Sequence, residues 1–243
     1  MRLIELFLLI ICSFLIVSCD KQSQEKSLIV ATSADNPPYE FIQNGQIVGF
    51  DIDIINAIGE KLEKKIIIKN FDFNGLLASL TSENVDIVIA GLTVTEERKK
   101  HVSFSVPYVT TNVSVLYRAT DDLKSVEDLD NKVVGMQLGT TWVVIVQDLS
   151  KQFNIRTNYL SNNLMLVEEL KSKVIDVVVL EELQSKKFIE NNPDLASFSL
   201  TEFSSKFAIA MPKDSKLVET VNKAISELKE DGTISRITKK WLQ

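Results

Sequence analysis

The stretch NGLLASLTSENVDIVIAG, Asn74 to Gly91, aligns without a gap on LMLVEELKSKVIDVVVLE, Leu164 to Glu181. Leu76, Leu77, Leu80, Val85 and Asp86 fall opposite Leu166, Val167, Leu170, Ile175 and Asp176, and in each copy an apolar run follows the Asp. The helical spacing of the leucines followed by an unbroken apolar run reads as an amphipathic helix feeding a strand buried on both faces. Any helix of this kind before a buried strand produces a similar pattern; the stronger reading is two similar lobes, each with one helix–strand unit. At the strand's end the first copy carries Gly91-Leu92-Thr93 and the second Glu181-Glu182. Open α/β sheets bind ligands outside the carboxyl ends of their strands, so two facing lobes would bring both ends to one cleft.

The flanking sequence predicts more of the same alternation. Leu28–Thr32 reads as a first strand. Asp51–Lys64 reads as a helix with Ile54, Ile55, Ile58 and Leu62 on one face behind an acidic first turn. Ile66–Ile68 is the next strand, Gly75–Thr81 a short helix and Val85–Ala90 a buried strand. Further on, the strand Val133–Met136 runs into QLGTTW, Gln137 to Trp142, where a glycine and two threonines open a helix over Thr140–Ser150. A helix start offers free N–H groups and attracts an anion, although most Gly-Thr-Thr starts are ordinary caps. The fold class is therefore α/β, with two lobes and a ligand cleft between them.

The 243 residues are 45% hydrophobic and 25% charged, an ordinary globular composition, and the net charge of −6 argues against nucleic acid as partner. One His and two Cys exclude a His/Cys metal cluster. Cys12 and Cys19 both lie near the N-terminus, so the rest of the chain has no disulfide. Arg2 precedes an apolar stretch, Leu6 to Val17, long enough for a signal-peptide core and short for a membrane span. Ile16-Val17-Ser18-Cys19 resembles a lipobox, which implies a signal peptide 1–18 cut before a lipid-bearing Cys19, then a polar tether 19–27. An uncleaved anchor and a plain secretion signal are the alternatives, and Glu5 departs from a purely positive start.

The cleft has a chemical inventory. One lobe supplies the N–H and hydroxyl of Thr93, the Gly91 carbonyl and the Arg98 cation; the other supplies the helix start at Thr140 and Thr141 and the Glu181 carboxylate. An α-amino acid matches it: Arg98 suits the carboxylate as a planar fork, and Glu181 with the Gly91 carbonyl suits the ammonium, which needs acceptors only. The competing reading of Arg98 is one charge in a solvated run with Glu96, Glu97, Lys99 and Lys100.

Five motifs carry a resemblance over Leu28–Trp241: PPYEF (Pro37–Phe41), VGFDIDI (Val48–Ile54), GLTVTEERKK (Gly91–Lys100), GMQLGTT (Gly135–Thr141) and DGTISRITKKW (Asp231–Trp241). Together they resemble the bacterial periplasmic polar amino-acid binding proteins of ABC importers, which bind histidine, lysine/arginine/ornithine, glutamine or arginine. The resemblance implies a type II periplasmic binding protein fold, each lobe a mixed sheet flanked by helices, with lobe 1 over 28–112 plus 208–243 and lobe 2 over 113–207. It implies that the chain crosses between lobes near Thr111–Leu116 and again near Lys206–Ala208. It implies that Arg98 grips the ligand carboxylate, that Gly91 and Thr93 contact its amino and carboxylate groups, and that Thr140 donates to the carboxylate. Glu181, usually Asp in the family, takes the ammonium, while Ala90, Gln137 and Thr141 complete the set. Phe73 covers the ligand's stem, or is plain core.

Two positions depart from the pattern. Asn36 stands where an aromatic usually stacks on the ligand, and Ser33 where several relatives have an Asp. Ser33, Asp35, Asn36 and Glu40 lie toward the ligand's far end by family position, which implies a polar or cationic, arginine-like side chain. The implied partners are a free L-amino acid, the membrane subunits of a permease and, through the lipid, the membrane; the implied place is the periplasm or extracytoplasmic face. A monomer with no cofactor and no metal is expected. The alternative is an enzyme on the same scaffold, resembling cyclohexadienyl or arogenate dehydratase, which would need a general acid or base in the cleft. Glu181 is the one candidate and is better used on the ammonium; His101, in a charged turn, reads as a surface residue.

Overall fold

The computed structural model describes residues 27–82 and 84–243. The signal peptide, the Cys19 lipidation site and the tether up to residue 26 lie outside the described residues.

The first part of the chain forms β1 (Leu28–Thr32), three short strands β2 (Asp35–Asn36), β3 (Glu40–Gln43) and β4 (Gln46–Val48), α1 (Phe50–Lys61), β5 (Ile66–Asn70), α2 (Leu76–Thr81), β6 (Ile87–Val88), α3 (Glu96–His101) and β7 (Val102–Phe104). The middle forms β8 (Val109–Arg118), β9 (Val133–Gln137), α4 (Trp142–Leu149), β10 (Arg156–Leu160), α5 (Asn163–Lys171), β11 (Val177–Glu181), α6 (Glu182–Asn191) and β12 (Leu195–Phe207). The chain ends with β13 (Ala210–Pro212), α7 (Leu217–Glu230) and α8 (Thr233–Trp241).

Two five-stranded sheets share one plan. Their orders are β5-β1-β6-β13-β7 and β10-β9-β11-β8-β12. In each, a β-α-β-α-β run makes three parallel strands, and the fourth strand lies antiparallel beside them. The aspartates aligned in the sequence explain why the copies match. Asp86 accepts the Ile29 N–H on Oδ2 at 2.8 Å and returns its own N–H to the Ile29 carbonyl at 2.8 Å. Asp176 does the same with Val133, at 2.8 and 2.9 Å. Each Asp thus pins the strand that follows it to the start of the middle one of its sheet's three parallel strands. A hydrogen bond to a charged group contributes about 1.5–3 kcal/mol, which is enough to hold this register.

The apolar runs are buried on both faces. Along β6, Ile87 and Ile89 join the core packed by α1 and α7, while Val88 and Ala90 join the one packed by α2. Val221, Ile225 and Leu228 of α7 pack with Ile54, Ile55 and Ile58 of α1, so the end of the chain closes over its beginning. The second sheet has its own core, centred on Val115, Val134, Leu166 and Val179.

Three elements fall short of their expected bounds by more than two residues. The helix expected over Asp51–Lys64 stops at Lys61, because Glu63 turns to φ 51° and Gly59 packs against Ile66 with no room for a Cβ. The strand expected over Val85–Ala90 pairs as a ladder only at Ile87–Val88, although Ile89 N still donates to the Ala31 carbonyl. The helix expected over Thr140–Ser150 begins at Trp142, since Thr140 is held in the preceding turn.

The chain passes from one sheet to the other between β7 and β8 and returns between β12 and β13. β8 and β12 form an antiparallel ribbon from Val109 opposite Phe207 to Arg118 opposite Leu195, and its register shifts between Leu200 and Ser204. Among the described residues no helix is long and apolar enough to cross a membrane.

Candidate functional site

Gly91 ends the strand run of β6 with φ 54°, a left-handed conformation that glycine adopts freely. A Cβ there would meet Asn36 Nδ2 at 2.9 Å and Phe207 Cε2 at 3.3 Å. The Gly91 N–H donates to Asp51 Oδ2 at 2.8 Å, and the same oxygen accepts the Tyr108 hydroxyl at 2.8 Å. Asp51 is fully buried, so one carboxylate holds the strand end in place from behind. Burial raises its pKa, opposed by the Gly91 N–H and the Tyr108 hydroxyl.

Beyond Gly91, Thr95 caps α3 by accepting the Arg98 N–H at 3.1 Å. The cap sets the helix so that Glu96, Glu97, Lys99 and Lys100 face solvent while Arg98 turns inward. Its guanidinium donates to the Thr93 carbonyl at 2.6 Å and, across the cleft, to the Gly139 carbonyl at 2.8 Å. The cation lies 5.8 Å from the centre of the Phe73 ring, within cation–π range. Burial pulls its pKa down to about 10, which leaves it charged at neutral pH.

From the other lobe comes Glu181, at the end of β11 and buried. It caps α6 by accepting the Gln184 N–H on Oε2 at 2.8 Å, and Oε1 accepts the Thr111 hydroxyl. Burial pushes its carboxyl up to about 7, against the backbone N–H groups at the start of α6. Its ionised form is therefore costly until a positive partner approaches.

These groups line one cavity. Every residue expected in the site except Ser33 is there: Asn36, Phe73, Ala90, Gly91, Thr93 and Arg98 from one side, and Gln137, Thr140, Thr141 and Glu181 from the other. Trp142 and Phe207 complete the wall. Three larger hollows, about 700, 670 and 630 Å³, are open grooves elsewhere. Arg98 and Glu181 converge in the cleft cavity and not in these.

Some side chains depart from the expected arrangement. Ser33 is buried behind the wall, where its hydroxyl donates to Asp35 Oδ1 at 3.2 Å. Thr140 donates its hydroxyl back to the Gln137 carbonyl at 2.7 Å, which closes the turn before α4. Thr141 makes no side-chain cap bond. Gln137 donates to Asp35 Oδ2 at 2.8 Å and to the Ser161 carbonyl at 3.0 Å. His101 is on the surface, as expected, 3.7 Å from Glu97.

Asp35 and Glu40, expected toward the ligand's far end, lie instead with Ser33 in a buried polar layer behind the wall. Asn36 donates to Glu40 Oε1 at 2.8 Å, and Glu40 is fully buried; burial and then the neighbouring Asp51 hold its carboxyl well above the usual range. Asp51 read as an ordinary acid in a helix's first turn. Its one available signal was its place inside an apolar run, GFDIDI.

Two lobes built on one plan, with a cation and an anion brought to a shared cavity from opposite sides, define a cleft-binding protein for a small ligand carrying both charges. The comparisons agree. Residues 28–243 match the bacterial extracellular solute-binding proteins, family 3, and the chain belongs to that family. The arginine-binding extracellular protein ArtP of Bacillus subtilis (strain 168) is 35% identical over 223 residues, 90% of this chain and 88% of that one. An ancestral arginine-binding protein solved with arginine superposes with a TM-score of 0.84 at 38% identity, covering 89% of this chain and 98% of that one. An ancestral arginine-binding protein solved with glutamine gives 0.84 at 39% identity, covering 88% and 97%. The family is one of solute-binding proteins found outside the cytoplasm, so the chain is a binding protein there, and the dehydratase alternative finds no support.

Proposed function

We propose that this chain is the substrate-binding component of an ABC amino-acid importer, taking a free L-amino acid between its lobes and handing it to the permease. One observation carries this reading. Arg98 and Glu181 reach a single cavity from opposite lobes, a cation and a carboxyl group of the kinds that the two ends of an amino acid require. In the loaded form Arg98 exchanges the Gly139 carbonyl for the ligand carboxylate, and Glu181 with the Gly91 carbonyl takes the ammonium. Gly91 and Thr93 add backbone and hydroxyl contacts, and Phe73 covers the stem. A ligand held from both sides stabilises only the closed arrangement, so binding drives the lobes together. Lobe 1 is 28–112 plus 208–243 and lobe 2 is 113–207, with the β8–β12 ribbon as the hinge.

The ligand is a polar amino acid, arginine before glutamine. The arginine-binding relatives favour a cationic side chain. Asn36 is neutral and offers no aromatic face, which keeps glutamine as the competitor. Cys19 carries the lipid that tethers the monomeric domain to the membrane. Thermal-shift screening of the twenty amino acids plus ornithine and citrulline tests the reading. A true ligand raises stability by about 2.7 kcal/mol at a hundredfold excess over its Kd, and no shift with any of them would reject it.

A further inference from the structure

We propose that Asp35 is a latch between the lobes, a positioning residue for closure and not a ligand contact. Asp35 sits on β2 in the first lobe, yet its Oδ2 accepts two bonds from the second: Gln137 Nε2 at 2.8 Å and the backbone N–H of Asn163 at 2.8 Å. Its carbonyl accepts a third, from Gln184 Nε2 at 3.2 Å. The donors come from β9, α5 and α6, so one residue gathers three elements of the opposite lobe. The receiving side is itself braced, because Asn163 Nδ2 donates to Gln137 Oε1 at 3.0 Å. Ser33 steadies the carboxylate from its own lobe through Oδ1.

Two features separate this latch from the ligand's grip. Asp35 does not line the cavity, whereas Arg98 and Glu181 do. Asn163 is the first residue of α5, where an N–H has no partner inside the helix, so the carboxylate meets an unpaired donor and the positive end of the helix dipole together. The group is buried, and a charged hydrogen bond is stronger in that setting than in water. These bonds exist only while the lobes touch. They therefore slow opening and leave the encounter with ligand unchanged.

The latch rests on the closing-lobe reading above, and the tests separate the two. In the full-length chain, Asp35→Asn should raise the arginine dissociation rate about tenfold or more, read by stopped-flow fluorescence from Trp142 in the cavity wall. The association rate should stay within about twofold, and the preference between arginine and glutamine should not change. Asn163→Pro removes the N–H at a position where proline is well tolerated, and Asn162 is already extended (φ −134°, ψ 129°) as a residue before proline must be. It should speed release to a similar degree, and the double variant should be little worse than the poorer single one. If the wild-type chain bound no amino acid, the functional reading would fail and the latch would still be read by hydrogen exchange. The Asn163 amide should be protected in the wild type and exchange faster in Asp35→Asn. An unchanged release rate, an additive double variant, a changed ligand preference or an unprotected Asn163 amide would each overturn the latch.

Discussion

Gly91→Ala separates backbone strain from crowding of the site. An L-residue held in the left-handed region costs about 1–2 kcal/mol. At φ 54° Gly91 would bear that cost, and its new Cβ would sit 2.9 Å from Asn36 Nδ2. Asn36 cannot swing aside freely, because its amide donates to the fully buried Glu40 carboxyl at 2.8 Å. Breaking that bond adds about 1–3 kcal/mol, so the total is roughly 3 kcal/mol. For a chain of this size that lowers Tm by roughly 6–12 °C. Gly45→Ala is the matched control: φ is 76° and nothing lies within 4 Å of the added Cβ, so only the backbone cost of about 1–2 kcal/mol remains. Scanning calorimetry should show the larger loss for Gly91→Ala, and titration should show amino-acid binding weakened more than tenfold in Gly91→Ala and unchanged in Gly45→Ala. Equal losses of stability with full affinity in both variants would refute the claim that Gly91 is where strand, site and Asn36 meet.

Arg98→Ala should abolish amino-acid binding, and Arg98→Lys should fail nearly as badly, since a point charge cannot replace two bonds from one planar fork; binding within threefold of wild type in calorimetry would return Arg98 to the solvated charge run. Ligand-free stability should fall as pH rises from 5 to 8. Glu181 and Asp35, pushed up by burial to about 7 and about 6, keep protons in the folded chain that the unfolded chain has already released, so Glu181 alone removes about 3 kcal/mol across that window. Glu181→Gln should flatten much of the slope, and a Tm that rises with pH would contradict it. Cys19→Ser should move the protein from the membrane fraction to the soluble one with its affinity intact; mass spectrometry of the mature N-terminus showing no lipid in the wild type would contradict the anchor.

The two-lobe plan was legible because each lobe repeats a helix–strand unit whose apolar period and shared Asp survive in the sequence. Asp86 and Asp176 make the same pair of bonds in both sheets, so the aligned residues carry the aligned structure. The wall of the site was legible too, since Gly91 and Thr93 follow one buried strand, Glu181 ends the other, and Arg98 comes a few residues after the first on α3. What was hidden depends on contacts between distant segments. Asp51 looks like any acid opening a helix until Gly91 and Tyr108 are brought to it. Phe207 joins the cavity only because the chain returns to the first lobe beside Thr93. Thr140 has the right place and turns its hydroxyl into its own turn, a local choice that composition and spacing do not reveal.

The central claim is that one amino acid is clamped between Arg98 and Glu181, and calorimetric titration of the full-length chain with arginine, lysine, glutamine and histidine tests it most directly. One site per chain is expected, with arginine tightest and glutamine next. Glutamine binding more tightly than arginine would overturn the basic-ligand assignment, and no saturable heat with any of the four would contradict the account of the cleft.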